Sequence, residues 1–349
     1  MRILVAGGAG FIGSAYVRGR LAAHPGDCVR VLDKLTYAGR RENLDGLDLD
    51  RAELVEGDIS DREAVDAAIE GCDAIVNFAA ESHVDRSIHS PGEFIQTDVF
   101  GAFVMLEAAR RADIRHLQVS TDEVYGSIQS GSFSEDSPLR PSSPYSASKA
   151  GGDLIVGAYR HTYAADALIV RGSNNYGPRQ HPEKLIPLCI LNALAGDPLP
   201  VYGDGMQVRN WIFVEDFCAA IDLVLERGEA GEAYNVGGPD ELPNIEAAPA
   251  TTAVTRCPPT RFGHWAGSPA RALRTACAGP SSGTAATNGG GARCAPASIA
   301  TITSATTGGL WDSGAAARHA ARRRRPDRAR GPPRRARLSP RELPRGPLA

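Results

Sequence analysis

An α/β fold built on a doubly wound parallel sheet is predicted by two observations. Short β-rich apolar runs alternate with helical patterns from residue 1 to about residue 246. A glycine-rich turn, Gly7-Gly-Ala-Gly10-Phe-Ile-Gly13, lies directly between the first run and the first helical pattern. Strands that alternate with helices imply a parallel sheet covered on both faces, with right-handed crossovers. Strands are expected at 3–6, 29–32, 53–56, 74–78, 117–120, 167–171 and 234–236, and helices at 61–70, 92–112 and 145–162. Proline-rich loops interrupt the pattern at 138–144, 178–187 and 197–200. Ligands of such a sheet bind outside the carboxyl ends of its strands. Those ends carry Gly7, Asp33, Asp58, Ala79, Ala80, Ser120, Thr121, Arg171 and Gly172.

A chain of 349 residues can hold one large α/β domain and a smaller partner. The expected division is 1–172, 173–246 and a dissimilar remainder, 247–349. The net charge of -3 hides an asymmetry. Lys34, Lys149 and Lys184 all lie in the first two segments, and the acids of the remainder are only Asp312, Asp327 and Glu342. That remainder is rich in Arg, Ala, Pro and Gly, lacks periodicity and is expected to be disordered. Its Arg322-Arg-Arg-Arg325 run has few aromatics beside it and no folded scaffold, so nucleic-acid binding is not expected. No apolar run of about twenty residues suggests a membrane span. The N-terminus reads as a strand and not a signal peptide. The 7 cysteines are scattered, without Cys-x-x-Cys spacing. They argue for reduced thiols, a cytoplasmic location and no metal site. Cys189 and Cys218 read as core residues.

The residues that carry chemistry fall into two groups. Gly7 permits a tight turn, Gly10 lets a pyrophosphate approach the helix N-terminus, and Gly13 lets helix and sheet pack closely. Asp33 follows about twenty residues later at a strand end, where a carboxylate accepts from ribose hydroxyls and disfavours a 2'-phosphate. NAD is therefore expected, with Asp58 at the adenine edge. In Tyr145-Ser-Ala-Ser-Lys149 the Tyr and Lys are one helical turn apart. The ammonium of Lys149 is expected to lower the Tyr145 pKa, so that the phenol serves as a base toward a substrate hydroxyl. Thr121, Asp122 and Glu123 follow the strand at 117–120. An adjacent acid pair there can donate and accept protons around one substrate, as elimination of water requires.

Longer motifs join these: Phe78-Ala-Ala-Glu-Ser-His-Val-Asp-Arg-Ser-Ile88, Ser120-Thr-Asp-Glu-Val-Tyr-Gly126, Arg171-Gly-Ser-Asn-Asn-Tyr-Gly-Pro178, Pro182-Glu-Lys-Leu-Ile-Pro187, Val201-Tyr-Gly-Asp-Gly205, Val208-Arg-Asn-Trp211 and Tyr234-Asn-Val-Gly-Gly238. With them, residues 1 to about 246 resemble the Rossmann-like extended short-chain dehydrogenases/reductases, and within these the dTDP-glucose 4,6-dehydratases. The resemblance implies a redox-neutral reaction on dTDP-glucose. Tyr145, with Thr121 and Lys149, would take the 4-hydroxyl proton as hydride passes from carbon 4 to NAD. Glu123 would take the carbon 5 proton, Asp122 would protonate the departing 6-hydroxyl, and the hydride would return at carbon 6. NAD would stay bound, and dTDP-4-keto-6-deoxyglucose would leave.

The same resemblance adds Phe11, Ile12, Lys34, Leu35, Thr36, Gly39, Ile59, Ala79, Ala80, Ser82 and Thr97 to the cofactor site. It places Glu81, Ser82 and Thr121 near the sugar and Asn174 and Arg209 at the diphosphate. Lys184, Leu185, Pro200 and Tyr202 would line the nucleotide pocket, with Asn244 nearby; simple packing is the less favoured alternative for Leu185, Pro200 and Tyr202. A homodimer through helices 92–112 and 145–162 is implied. An epimerase or decarboxylase of the same fold, or an NAD-binding product without activity, stays open, as does dTDP against UDP. Ala6 and Phe217 depart from the family pattern, where Thr and His are usual, and the match stops near Glu246. A shifted reading frame is expected there: Ser282-Gly-Thr-Ala285 can be encoded so that the neighbouring frame reads Trp-Tyr-Arg, the family's closing motif.

Overall fold

The computed structural model describes residues 1–247; the expected disorder, basic run and frame shift of the remainder lie outside the described residues. Strand β1 (Arg2–Ala6) leads through the glycine turn into α1 (Phe11–Ala23), then β2 (Cys28–Asp33), β3 (Ala52–Glu56), α2 (Arg62–Ile69) and β4 (Ala74–Asn77). Two short helices, α3 (Val84–His89) and α4 (Pro91–Phe94), precede a π-helical stretch, Ile95–Gly101, that continues into α5 (Ala102–Ala112). Then come β5 (Arg115–Thr121), a 3-10 turn (Asp122–Tyr125), α6 (Pro144–Tyr163), β6 (Ala167–Gly172), β7 (Asn174–Tyr176), α7 (Leu185–Ala195), β8 (Val208–Phe213), α8 (Val214–Arg227), β9 (Ala233–Val236) and β10 (Asp240–Pro243).

All seven expected strands form one parallel sheet in the order β3-β2-β1-β4-β5-β6-β9. Side chains alternate across it with period two. Ile3 and Val5 join a core with Tyr16, Val17 and Leu21 of α1 and Phe217, Ile221 and Val224 of α8. Leu4 and Ala6 join the opposite core, with Val65 and Ala68 of α2 and Met105 and Ala108 of α5. The strand order reverses between β1 and β4, which opens a crevice at their carboxyl ends. A second sheet of three strands, β10-β8-β7, packs Tyr176 and Trp211 with Leu185, Ile186 and Leu242. Among the described residues no helix is long and apolar enough to cross a membrane.

Two expectations need correction. The helix at 92–112 is not uniformly α-helical, because Ile95–Gly101 widens into π-helix. The wide turn accommodates buried Asp98, whose carboxylate accepts from the Glu81 amide at 3.1 Å and from Ser148 Oγ of α6 at 2.6 Å. The loop at 178–187 ends sooner than expected, because Pro187 sits in the first turn of α7, where a proline costs no helical hydrogen bond.

Helices α1 and α8 are joined by a buried ionic clamp. Arg20, 3% exposed, bonds Asp27, Asp222 at 2.7 Å and Glu226 at 3.1 Å. Asp27 also takes the Met1 ammonium at 2.6 Å, and His24 reaches Asp222 at 2.9 Å. Removing one partner of such a group leaves uncompensated buried charge. Arg20→Ala is therefore expected to cost about 3–5 kcal/mol of stability, read from the urea midpoint, with Arg20→Lys recovering part of the loss. A loss below about 1 kcal/mol would show that the clamp is solvated and weak.

Candidate active site

The β1–α1 turn is set by how closely its backbone must approach its neighbours. Gly7 has φ 72, and a Cβ there would lie 2.6 Å from the Ala79 nitrogen. A Cβ on Gly13 would lie 2.3 Å from the Gly7 oxygen. Helix α1 starts without a capping side chain and without an acid in its first turn, so its N-terminal amides and dipole face the crevice. Asp33, at the end of β2, accepts from the amides of Ala9 and Leu35, each at 2.9 Å. Those bonds hold the next loop against the turn and keep Leu35 at φ 54. Asp58 pairs with Lys34 at 2.7 Å and accepts from Ser60, and its pKa is lowered because these partners outweigh burial.

Helix α6 begins at a reciprocal cap. Ser143 Oγ accepts from the Ser146 amide at 3.1 Å, and Ser146 Oγ accepts from the Ser143 amide at 3.0 Å, with Pro144 at the first position. This start puts Tyr145 in the first turn and Lys149 one turn further on the same side. Lys149 is 5% exposed and donates to the Val119 carbonyl of β5 at 2.8 Å. On the facing strand end, Thr121 Oγ1 accepts from the Glu123 amide at 3.3 Å, which caps the 3-10 turn that carries Asp122 and Glu123. The same hydroxyl lies 3.4 Å from Asp122 Oδ1.

Burial, then the neighbouring Glu123 charge, pushes Asp122 up to about 6. Glu123 is also raised by burial, against the charges of Arg209 and Lys184. Tyr145 reverses the expected direction. Burial and the Glu123 and Asp98 charges hold its phenol well above its ordinary value, and only a hydrogen bond with Thr121 opposes them among these effects. Sequence spacing shows the lysine beside the tyrosine. It does not show that the acids converge on the phenol while the lysine is engaged by Val119.

One cavity of about 440 Å³ runs along these groups. From the expected cofactor set it is lined by Gly7, Gly10, Phe11, Ile12, Gly13, Asp33, Lys34, Thr36, Gly39, Asp58, Ile59, Ala79, Ala80, Ser82, Thr97, Tyr145 and Lys149, but not by Leu35. Of the remaining expected residues, Glu81, Thr121, Glu123, Asn174 and Lys184 line it. Asp122, Leu185, Pro200, Tyr202, Arg209 and Asn244 do not. Leu185 packs in the core of the second sheet. Tyr202 is 73% exposed and donates to Asp85 at 3.0 Å. Arg209 is exposed, yet its charge reaches both Asp122 and Glu123.

Sequence reasoning does not single out Ser120 by function or Ser173, Asn175, Gln180, His181 and Glu183 at all, although each lines the cavity. The Arg171–Pro178 motif contains Ser173 and Asn175 and could have pointed to them. Phe217, fully buried, closes one side, where a Cβ on Gly172 would come 2.4 Å from its ring. Polar contacts bridge the mouth: Tyr37 OH donates to Glu183 at 3.1 Å, and Lys184 donates to the Ser82 carbonyl at 2.7 Å.

The sequence model of the GDP-mannose 4,6 dehydratase family matches residues 4–256. A low-salt glycan biosynthesis protein, Agl12, of Haloferax volcanii is 58% identical over 248 residues, 70% of this chain and 80% of the relative. A dTDP-glucose 4,6-dehydratase of Streptomyces niveus is 52% identical over 254 residues, 71% of this chain and 76% of the relative. The crystal structure of DesIV, a dTDP-glucose 4,6-dehydratase of Streptomyces venezuelae with NAD and TYD bound, superposes with a TM-score of 0.70 at 55% identity, covering 72% of this chain and 80% of that one. A nucleotide-sized crevice, an acid pair and a Tyr-Lys helix thus occur together in a chain matched along most of its length, and this chain belongs to the GDP-mannose 4,6 dehydratase family.

Proposed function

We propose that the protein is an NAD-dependent lyase that converts dTDP-glucose to dTDP-4-keto-6-deoxyglucose and water. The observation that carries this reading is the placing of Asp122 and Glu123 on one turn beside Thr121, opposite Tyr145 and Lys149. An epimerase or decarboxylase has no use for a paired acid and base at this point. The cavity fits a dinucleotide. Its glycine turn leaves no room for side chains, and three buried polar atoms of lining residues, Ser173 Oγ, Asn175 Oδ1 and Gln180 Oε1, have no hydrogen-bond partner among the described residues. Gly10 and the α1 amides hold the pyrophosphate, Asp33 the adenosine ribose and Asp58 the adenine edge.

When bound, NAD supplies a hydride acceptor for sugar carbon 4 and a hydride donor for carbon 6. Tyr145 takes the 4-hydroxyl proton with Thr121 as hydrogen-bond partner, and the positive charge of Lys149 has to offset the burial and the Glu123 and Asp98 charges that raise the phenol. Glu123, raised by burial against the charges of Arg209 and Lys184, takes the carbon 5 proton. Asp122 holds a proton up to a higher pH than an ordinary Asp and passes it to the leaving 6-hydroxyl. Lys184, Asn174 and Arg209 supply the cationic and polar side of the nucleotide site. Residues 1–172, with α8 and the return strand β9, form the cofactor half, and the rest of 173–246 forms the substrate half. Ile95, Phe100, Leu154 and Tyr163 leave apolar surface exposed on the α4–α5 and α6 helices, which supports a homodimer through them. A soluble nucleotide-sugar substrate supports a cytoplasmic location.

The purified protein, incubated with dTDP-glucose and no added NAD, is expected to give the alkaline absorbance of a 4-keto-6-deoxy sugar. No product from a folded, NAD-bearing protein would overturn the reading. Asp122→Asn and Glu123→Gln are each expected to lower kcat about 10²–10⁴-fold in protein that still melts cooperatively.

The pH dependence of stability has a definite sign. Native Asp122 keeps its proton up to about 6, above its model-peptide value of 3.8. The native state therefore binds more protons than the unfolded state between these values, and stability from this group falls as pH rises from about 4 to about 6. Asp122→Asn should flatten that limb by about 2 kcal/mol in urea titrations across the range.

A further inference from the structure

Behind the acid pair lies a largely buried polar network formed by Arg171, Asp153, Tyr125 and Asn235, none of which lines the cavity. Arg171, near the end of β6, is 6% exposed, and Asp153 on α6 is 3% exposed. Arg171 Nε donates to Asp153 Oδ2 at 2.8 Å, and its Nη1 donates to Tyr125 OH at 2.8 Å. Tyr125 ends the 3-10 turn that carries Asp122 and Glu123, and its hydroxyl donates onward to Asn235 Oδ1 of β9 at 2.7 Å. Its ring stacks on Phe133 with centroids 5.0 Å apart. Asp153 lies one turn beyond Lys149, as Lys149 lies one turn beyond Tyr145, so the three share a side of α6. One guanidinium thus bonds the helix that carries the Tyr-Lys pair and the turn that carries the acid pair. Arg171, Tyr125 and Asp153 are all buried and absent from the cavity lining.

We infer that Arg171 is a positioning residue of the reaction, a strut that holds the acid pair at a fixed distance from Tyr145 through its fork to Asp153 and Tyr125. The inference rests on the dehydratase reading. A planar guanidinium directs its donors at fixed angles, so the two elements it joins cannot shift independently without breaking a buried hydrogen bond. Lysine in its place would carry the charge but not the fork. The Tyr145 side keeps the Ser143–Ser146 cap and the Asp98–Ser148 bond when Arg171 changes, whereas the acid turn is four residues long and is held from behind by Tyr125. Loosening the strut should therefore damage proton abstraction at carbon 5 more than alcohol oxidation at carbon 4.

The test uses full-length wild type, Tyr125→Phe and Arg171→Lys, with dTDP-glucose carrying deuterium at carbon 5 or at carbon 4. In Tyr125→Phe, which keeps the ring stack, kcat should fall about tenfold to a hundredfold with KM within about twofold. The carbon 5 isotope effect should rise and the carbon 4 effect should not. Arg171→Lys should show the same pattern and no rescue. Melting and the amount of NAD retained after gel filtration separate this from lost folding. Unchanged isotope effects overturn the inference, whether the variants turn over like wild type or lose activity together with NAD or fold. Wild type that forms no product overturns the dehydratase reading itself, and the strut falls with it.

Discussion

Helix α6 can hold Tyr145 and Lys149 over the sheet edge because buried carboxylates pin it on both sides of Lys149. Asp98 accepts from Ser148 on the residue before the lysine, and Asp153 holds Arg171 one turn after it. The Ser143–Ser146 cap sets the start of the helix, and these two bonds set its rotation and depth. A helix fixed only by apolar packing could slide by a fraction of an ångström at little cost, and a reacting proton would register that slide. Hydrogen bonds between buried charged groups are directional, and breaking one leaves a desolvated group behind. The π-helical stretch belongs to this arrangement, since it is the turn that carries Asp98 to Ser148 and to the Glu81 amide.

That precision places several acids in a poorly solvated space. Glu81, Asp98, Asp122 and Glu123 are all raised, and for each the largest cause is burial. Cations oppose them only in part: Arg86 and Lys34 act on Glu81, Lys149 acts on Asp98, and Arg209 and Lys184 act on the acid pair. Such a cluster opposes folding at neutral pH, and its persistence needs support from elsewhere in the molecule. The two apolar cores supply most of it, and the Arg20 clamp between α1 and α8 adds an ionic contribution far from the chemistry. The same burial that costs stability holds a proton on Asp122 and makes Glu123 a stronger base than a solvated carboxylate.

The sheet is legible because its strands alternate with helical patterns at every step, and the glycine turn is legible because its spacing has one steric solution. Tyr145 and Lys149 follow from helical period alone. What is not legible depends on contacts far apart in sequence. Arg171 meets Asp153 at 18 positions and Tyr125 at 46. The π-helical stretch adds a residue per turn without disturbing the apolar pattern around it. The second sheet uses strands as short as the three residues Asn174–Tyr176, with too few positions to show alternation. The direction of the Tyr145 shift fails for the same reason: local spacing displays the nearby lysine, and the opposing Glu123 and Asp98 arrive through the fold.

The cavity has two unlike sides. Its floor is the edge of a seven-stranded sheet with a core on each face. Its far wall is the smaller lobe, where α7 is apolar along most of its length and buries only Cys189, leaving Leu191 and Leu194 at 49% and 66% exposure. Polar bridges join that wall to the cofactor side at Tyr37–Glu183, Lys184–Ser82 and Tyr202–Asp85. Bonds of this kind are each worth about 1 kcal/mol, a lighter tie than the apolar burial under the floor. The expected cofactor residues belong to the floor and, apart from Leu35, line the cavity. Pro200, Tyr202, Arg209 and Asn244 belong to the wall and stand outside it. A wall held this lightly can move toward a nucleotide while Tyr145, Lys149 and the acid pair stay in register, which separates recognition of the substrate from the geometry of its chemistry.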